Sequence, residues 1–282
     1  MGSDKMVNCY IKIARKIEKQ LGCKIYIVGG FVRDKILKLK SVDLDFVVEG
    51  DGLAVADAFH KKFGGKLTVY KKFLTASLKL KNNFVIDIAT ARTEKYPQPA
   101  SMPQVFPAKL EKDLFRRDFT INALALPLVP RPSSLNTIID VCGGLSDLKN
   151  KLIRVLHKNS FTDDPTRILR AIRYACRFNF SIEKNTEKWM KQAIKKNLLA
   201  LVSPPRIRDE FIKVLSEKKA KKILIEFKKR KILKHIDDKL ALSAISEKKE
   251  SVKIRLKKLL RNFPEERKFL FLKKMCLSPK SI

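Results

Sequence analysis

Residues 25–34, IYIVGGFVRD, decide the fold of the first part of this chain. The apolar, β-branched run at 25–28 predicts a buried strand, which stops at two adjacent glycines. A helix begins directly behind them, so the unpaired N–H groups of its first turn face whatever lies above Gly29 and Gly30. Arg33 adds a positive charge at the same place. A glycine pair alone most often makes a tight turn, but this combination predicts a phosphate-binding corner.

The segments around this strand predict an α+β unit. Apolar residues at helical spacing over 8–21 predict a first amphipathic helix. Strands are predicted for DLDFVVEG (43–50), KLTVYKKFLTASLKL (66–80) and NNFVIDIATAR (82–92), with a helix over GLAVADAFHKKFGG (52–65). EKYPQPASMPQVFP (94–107) packs four prolines into fourteen residues and predicts a mobile loop.

From about Leu145 to the end, the pattern is helix after helix, with a break at VSPP (202–205). We therefore expect three parts: a head over 1–128, a helical neck over 129–205, and a basic helical body over 206–282. The chain carries 62 Lys and Arg against 29 Asp and Glu, a net charge of +33. This predicts a polyanionic partner, although a lysine-rich bias that only solvates helix faces is the alternative.

Five scattered cysteines, an odd number without metal-ligand spacing, indicate reduced thiols in a cytoplasmic protein. The chain has no run of eighteen apolar residues and no signal-peptide pattern at its start, so we expect no membrane partner.

Carboxylates follow the glycines on the next predicted strand. Asp43 and Asp45 lie two apart, so both side chains are expected on one face of the sheet. Two close carboxylates among apolar residues repel unless a cation neutralises them, and oxygen-only ligands beside a phosphate site favour Mg²⁺. The alternative is a solvent-facing pair on an edge strand. Asp87, inside FVIDIAT, either completes this metal site or is an ordinary strand residue.

Two further segments carry candidate arginines. In DLFRRDFTINALAL (113–126), Arg117 could clamp a phosphate or simply pair with Asp113 or Asp118 at a helix start. In FTDDPTRILRAIRYACRF (161–178), Asp164 is placed to cap a helix. Its arginines at 167, 170, 173 and 177 form one stripe that needs an anionic neighbour, unless they are a solvated face on which Asp164 pairs with Arg167.

The order of these motifs resembles a known family. GG-x-V-R-D, D-x-D, R-R-D-x-x-x-N-A-L, D-x3-G-x2-D-L (140–148) and D-D-x-x-R resemble the class II tRNA nucleotidyltransferases. These are the CCA-adding enzymes and the related bacterial poly(A) polymerases of the polymerase-β superfamily. The resemblance runs from about residue 26 to residue 210. It implies a polymerase-β-like head with a mixed sheet and helices, followed by an all-helical neck and body.

The resemblance also implies roles for the candidate residues. Asp43 and Asp45 would hold Mg²⁺, two ions in the shared mechanism. Asp87 is retained from the residue pattern as a third candidate catalytic carboxylate. The resemblance assigns the triphosphate to Gly29, Gly30 and Arg33 and the base to Asp164 and Arg167. The motifs add Arg116, Arg117, Asn122, Arg170 and Arg173 as candidate nucleotide-binding residues.

In the family, the residues that match Asp164 and Arg167 read the incoming base. Asp164 can only accept hydrogen bonds and Arg167 can only donate them, which suits the amino group and ring nitrogen of cytosine or adenine. Uracil and guanine present the reverse pattern, so the pair would pass CTP and ATP.

We therefore expect a template-independent enzyme that adds C and A, or A alone, from CTP and ATP to the acceptor arm of tRNA, with no DNA partner. The predicted loop after Asp87 implies that A addition is possible, and an A-only enzyme would need a separate CC-adding enzyme. Two alternatives are a poly(A) polymerase and an inactive RNA-binding scaffold. Family members usually carry a longer helical body, so the basic segment after 205 would have to grip the RNA through its phosphates.

Overall fold

The structure, a computed structural model, describes residues 3–40, 43–128, 137–246, 248 and 250–279. The chain forms two compact units. Unit 1 comprises Met1–Lys95 and Pro103–Asn150, and unit 2 comprises Tyr96–Met102 and Lys151–Ile282. The division into head, neck and body at residues 128 and 205 stays a prediction.

Unit 1 is built on a mixed sheet, so the α+β prediction is confirmed. Its strands are β1 (Lys24–Val28), β2 (Asp43–Glu49), β3 (Lys66–Tyr70), β4 (Thr75–Lys79), β5 (Val85–Thr90), β6 (Arg92–Lys95), β7 (Gln104–Pro107), β8 (Leu124–Pro127) and β9 (Ile139–Asp140). Seven of them form one sheet in the order β3-β4-β5-β2-β1-β8-β9, and β6 pairs with β7. Within the large sheet β2 and β5 are parallel, whereas the other neighbouring pairs are antiparallel.

One face of this sheet is the core of unit 1. The helices of the unit are α1 (Ser3–Leu21), α2 (Gly30–Ile36), α3 (Gly52–Phe63), α4 (Leu110–Phe115) and α5 (Gly144–Lys149). Leu44, Phe46, Ile86 and Ile88 occupy alternate positions along β2 and β5 and are at most 1% exposed. The Phe46 ring lies 5.5 Å from that of Phe59 in α3, so this helix covers the apolar face. The opposite face carries Asp45 and Asp87.

The segment predicted as a mobile loop over 94–107 is regular at both ends, so that prediction was wrong there. Its first residues lie in β6 and its last four form β7, with Thr93 in register with Phe106. The prolines lie between the two strands and at the end of β7, where they remove no ladder hydrogen bond. The prediction of one strand over 66–80 was also wrong, because a 3₁₀ turn at Lys71–Phe73 and the left-handed Leu74 divide it into β3 and β4.

Unit 2 is mainly helical. Its helices are α6 (Ser160–Asp163), α7 (Thr166–Phe178), α8 (Lys184–Lys195), α9 (Pro204–Ser216), α10 (Ala220–Lys229), α11 (Val252–Leu259) and α12 (Glu265–Lys274). Phe211, Val214 and Phe227 are fully buried between them. The all-helical prediction missed one feature, the short parallel pair β10 (Leu152–Ile153) and β11 (Ser181–Ile182). No helix in the described part of the chain is long and apolar enough to span a membrane.

Candidate active site

Two of the candidate carboxylates, Asp45 and Asp87, lie side by side on neighbouring strands. Asp45 in β2 is the register partner of Asp87 in the parallel strand β5. Residues directly opposite each other share a face of the sheet, so these side chains are neighbours. Asp45 is half-buried and Asp87 is exposed. The backbone of Asp43 pairs with Val85 in the same ladder, but its side chain lies outside what the structure describes.

The glycine turn lies next to this pair, and it requires glycine. Gly29 has a φ of 68°, where a residue with a side chain is strained. A Cβ at Gly29 would lie 3.1 Å from Nη1 of Arg117 and 3.5 Å from Oδ2 of Asp45. The first distance is tighter than an ordinary contact and the second is not, so a side chain at this position would crowd the arginine but not the carboxylate. Gly30 then begins α2, and a Cβ there would lie 3.5 Å from Nη2 of Arg33.

Arg117 is held beside Gly29 by a buried carboxylate, Asp113 of α4. Its Nη2 lies 2.9 Å from Oδ2 of Asp113, which is fully buried. Arg116 binds the other oxygen of Asp113 at 2.6 Å, and its Nη1 lies 2.7 Å from Oε1 of Glu94 in β6. Burial opposes ionisation of Asp113, but the guanidinium groups of Arg117 and Arg116 outweigh it and hold the pKa of this carboxyl below its ordinary value. The pairing that the sequence left as an alternative therefore exists, and it aims Arg117 at the glycine turn.

Arg33 and Asn122, both predicted to bind nucleotide, bind each other. Nη1 of Arg33 donates to Oδ1 of Asn122 at 2.6 Å, and Nε of Arg33 donates to Oδ1 of Asp34 at 2.8 Å. Asn122 in turn donates to Oδ1 of Asp118 at 2.9 Å. Arg33 is 4% exposed, so the structure shows it tying α2 to the turn that holds Asn122. Direct contact between Arg33 and a phosphate stays a prediction.

The D-x3-G-x2-D-L motif (140–148) lies beside the turn that carries Asn122 in unit 1. Asp140 accepts hydrogen bonds from the N–H groups of Gly144 and Leu145 at the start of α5. Asp147 accepts a hydrogen bond of 2.6 Å from the Thr120 hydroxyl, two residues before Asn122. The motif therefore supports the turn that carries Asn122.

A cleft of about 310 Å³ opens over the carboxylates. Asp45, Asp87 and Arg117 lie in its wall together with Tyr70 and Ser77. Its volume is at the lower end of the range for small-ligand pockets. Among the residues whose side chains the structure describes, no three or more His, Cys, Asp or Glu residues are grouped as a metal site. The cleft therefore combines two adjacent carboxylates, suited to a divalent cation, with one arginine suited to a phosphate.

The second set of predicted residues belongs to α7 of unit 2. Asp164 accepts hydrogen bonds from the N–H and the hydroxyl of Thr166, as a residue at a helix start does. Arg206 of α9 approaches the same oxygen of Asp164 at 2.8 Å. Arg167 is 5% exposed, and its Nη1 donates to the Ser160 hydroxyl at 2.7 Å. Both candidate base-reading residues are thus fixed by neighbours within unit 2.

The arginine stripe of α7 faces carboxylates of α9 and of the residue that follows α9, which are the anionic neighbours that it requires. Arg170 and Arg173 lie 3.2 Å and 3.4 Å from the carboxylate of Glu210, and Arg173 lies 3.3 Å from that of Glu217. Burial opposes ionisation of Glu210, but Arg170, Lys213 and Arg173 hold the pKa of this carboxyl below its ordinary value. The solvated-face interpretation is wrong for Arg173, which is 5% exposed.

Sequence reasoning missed several residues that shape these sites. Asp113 was noted only as a pairing alternative, and Glu210, Arg206, Ser77 and Tyr70 were not singled out. A signal existed for Asp113, since an acidic residue three and four positions before two arginines on a helix predicts ion pairs. No local pattern identifies the other four, because their partners lie on distant strands or helices.

Comparison with known proteins gives matches over most of the chain. A family model described as the poly A polymerase head domain matches residues 25–154. A second, described as a probable RNA and SrmB-binding site of polymerase A, matches residues 179–240. The chain is 44% identical over 213 residues to the A-adding tRNA nucleotidyltransferase of Aquifex aeolicus. That match covers 76% of this chain but 26% of the relative, so the chain spans about a quarter of the relative's length.

Two solved structures resemble the whole chain. An apo form of a CCA-adding enzyme has a TM-score of 0.78 and 36% identity, and the match covers 99% of this chain and 70% of that one. A tRNA nucleotidyltransferase bound to a primer tRNA and an incoming ATP analogue has a TM-score of 0.75 and 35% identity. That match covers 94% of this chain and 80% of the other.

Proposed function

This chain belongs to the tRNA nucleotidyltransferase family that shares the poly(A) polymerase head domain, and we propose that it adds nucleotides without a template to the 3′ end of tRNA. The observation that carries the proposal is the pair of Asp45 and Asp87 beside Gly29 and Arg117. The cleft then holds carboxylates that can bind a metal ion and an arginine that can bind a phosphate, as nucleotidyl transfer requires.

The donor set of this cleft fits Mg²⁺. Asp45 and Asp87 are oxygen ligands on adjacent strands, and both border the cleft, where a hydrated ion and substrate phosphates have access. We propose that they hold the metal together with Asp43, which precedes Asp45 by two residues in β2. Bound Mg²⁺ would neutralise phosphate charge and lower the pKa of the attacking RNA hydroxyl.

The other residues of the cleft bind and orient. We assign Arg117 to a phosphate of the incoming nucleotide, because its guanidinium is fixed by Asp113 and reaches the bare backbone of Gly29. Gly30 and the Arg33–Asn122 pair keep this turn in place. Arg116 acts through Asp113 and Glu94, so it positions Arg117 and the strand β6.

We assign the choice of base to Asp164 and Arg167. Arg206 and Thr166 hold the Asp164 carboxylate, and Ser160 holds the Arg167 guanidinium, so donor and acceptor are preorganised. Arg170 and Arg173 act on this helix through Glu210. The acceptor-only Asp164 and the donor-only Arg167 then suit C and A and leave U and G without matched contacts.

Two versions of the reaction follow, full CCA addition and addition of the terminal A alone. The A-adding name of the Aquifex relative favours the second version, in which another enzyme must supply CC ends. We propose a cytoplasmic location, which the free cysteines support because thiols stay reduced there.

The test offers Mg²⁺ and labelled CTP or ATP to one tRNA in three forms, ending at the discriminator base, at C and at CC. Addition of CTP followed by a single A supports full CCA synthesis, and a single A on the CC form alone supports the A-only version. Long A tails would replace the proposal with poly(A) synthesis.

Asp45→Asn is the active-site control for this assay, and Asp57→Asn is its matched counterpart. Asp57 lies on the exposed surface of α3, where it pairs with Lys61. We expect Asp45→Asn to abolish addition and Asp57→Asn to leave it unchanged. RNA binding with no addition by the wild-type protein would support the inactive scaffold instead.

A further inference from the structure

The floor of the cleft continues past the carboxylates, away from the glycine turn. Asp87 in β5 is the register partner of Ser77 in β4, and Ala89 is the partner of Thr75. Thr75 in turn pairs with Tyr70 in β3, at the edge of the sheet. These residues share the face of Asp45 and Asp87, because directly opposed residues point to the same side. The open face therefore carries a series of polar side chains, set among apolar ones, that leads from Asp45 to Tyr70.

The two ends of this surface face different parts of the reaction. Gly29 and Arg117 lie on the β1 side of Asp45, and we have assigned them to the phosphates of the incoming nucleotide. In nucleotidyl transfer the attacking oxygen and the leaving pyrophosphate lie roughly in line on opposite sides of the α-phosphate. With the phosphates on the β1 side, the attacking hydroxyl must arrive from the Asp87 side. The surface beyond Asp87 is then in the right place for the RNA end.

The residues on that side have the chemistry of a nucleotide seat. Ala89, Thr75 and Ser77 are small, which leaves room above the sheet next to Asp87. Tyr70 borders the cleft with 52% of its surface exposed, so an aromatic ring is available at the far end. The next two residues, Lys71 and Lys72, are exposed and begin the 3₁₀ turn between β3 and β4. An exposed ring beside cations is the combination by which proteins hold single-stranded RNA.

We propose that Tyr70, Thr75 and Ser77 form the seat of the 3′-terminal nucleotide of the RNA, with Lys71 and Lys72 contacting the phosphates that precede it. Tyr70 packs against the terminal base, and the two hydroxyls face its ribose. This inference rests on the proposed function and assigns the RNA side of the same cleft. It makes Tyr70 an RNA-binding residue that sets RNA affinity without contacting the incoming nucleotide.

The kinetic test compares Tyr70→Ala with Val69→Ala in the addition of A to a CC-ending tRNA. Val69 is a matched control, because it is 41% exposed on the same strand and its register partner Ala76 belongs to the covered face. We expect Tyr70→Ala to raise KM for tRNA about tenfold, with KM for ATP within about twofold of wild type, and Val69→Ala to change neither. Tyr70→Phe should restore most of the affinity for tRNA.

A binding measurement without ATP separates this inference from the proposed function. An RNA whose 3′-terminal base is 2-aminopurine should lose fluorescence on wild-type protein through stacking, keep it on Tyr70→Ala and lose it again on Tyr70→Phe. If the wild-type protein adds no nucleotide but shows this pattern, the proposed function fails and the seat stands. If addition occurs and Tyr70→Ala changes neither fluorescence nor KM for tRNA, or raises KM for ATP equally, the seat is overturned.

Discussion

Asp113 and Arg117 form the ion pair on which the phosphate end of the cleft depends. Nη2 of Arg117 lies 2.9 Å from Oδ2 of Asp113, while Nη1 of the same guanidinium lies 3.1 Å from the position that a Cβ of Gly29 would take. One guanidinium therefore joins a fully buried carboxylate to the bare backbone of the turn. Its position is set by Asp113 of α4.

Replacement of Asp113 by Asn should weaken nucleotide binding. Arg117 loses the carboxylate that holds it, while Arg116 keeps its ion pair with Glu94, and removing one member of a buried ion pair costs on the order of 3 kcal/mol of unfolding free energy. We expect KM for ATP to rise about tenfold, because a misplaced arginine loses much of its charge-assisted contact. Steady-state kinetics at saturating tRNA and thermal unfolding measure the two effects.

Asp57→Asn is the control for Asp113→Asn, since the pair of Asp57 with Lys61 is exposed and contributes little stability. A variant Asp113→Asn with wild-type KM for ATP in its folded fraction would contradict the positioning role.

Gly29→Ala should lose activity for a steric reason in addition to backbone strain. The new Cβ would lie 3.1 Å from the Arg117 guanidinium, which must then shift by a few tenths of an ångström, and we expect a loss of about tenfold in rate, less than the roughly 100-fold that a misplacement of about 1 Å can cost. Gly22→Ala tests a positive φ without a steric neighbour, because Gly22 has a φ of +60° but meets no atom within 4 Å. Both variants should lose about 1–3 kcal/mol of stability, and only Gly29→Ala should lose activity. Equal activity of the two would refute the close approach of Arg117.

Glu210→Gln should destabilise unit 2 in a pH-dependent manner. Removing the charge leaves Arg173 without one of its buried partners and should cost on the order of 3 kcal/mol of unfolding free energy at pH 7. The folded pKa of Glu210 lies below the ordinary value of 4.5, so the unfolded chain binds a proton first as the pH falls. The stabilisation is therefore complete above about pH 4.5 and is lost as the pH falls through the folded pKa.

Denaturant unfolding of wild type and Glu210→Gln between pH 7 and pH 3 measures this difference. The gap in unfolding free energy between the two proteins should be constant near pH 7 and should disappear toward pH 3. A gap that widens on acidification would show that the Glu210 network does not stabilise the fold.

Asp164→Asn should relax the choice of base. The amide of Asn can donate to the carbonyl oxygen of uracil or guanine, which the carboxylate cannot. We expect the preference for CTP over UTP and for ATP over GTP, measured as ratios of kcat/KM, to fall about tenfold, as one unsatisfied contact predicts. Asp209→Asn, an exposed carboxylate on α9, is the control. Unchanged ratios in Asp164→Asn would remove Asp164 from base selection.

The local parts of the site could be predicted from the sequence, because they depend on short-range geometry. Short sequence patterns predict three of these features. They are the strand that stops at Gly29, the alternation that places Asp45 on the open face of the sheet, and the helix start at Asp164. The adjacency of Asp45 and Asp87 could not be predicted, because it depends on the register between two strands that are far apart in the chain. Glu210 was unpredictable for the same reason, since the packing of α7 on α9 decides which residue meets Arg173.

Arg206 has two partners in unit 2, the Asp164 carboxylate at 2.8 Å and the carbonyl oxygen of Ala100 at 2.6 Å. One side chain therefore couples the tip of the 96–102 segment to the carboxylate assigned to the base. Because a guanidinium is rigid, a change in the length or course of this segment alters the direction from which Asp164 is held. Sequence changes in the 96–102 segment and around Asp164 are then not independent. If this segment is exchanged between relatives, the protein will keep its nucleotide preference only if the new segment presents a carbonyl to Arg206 at the same place.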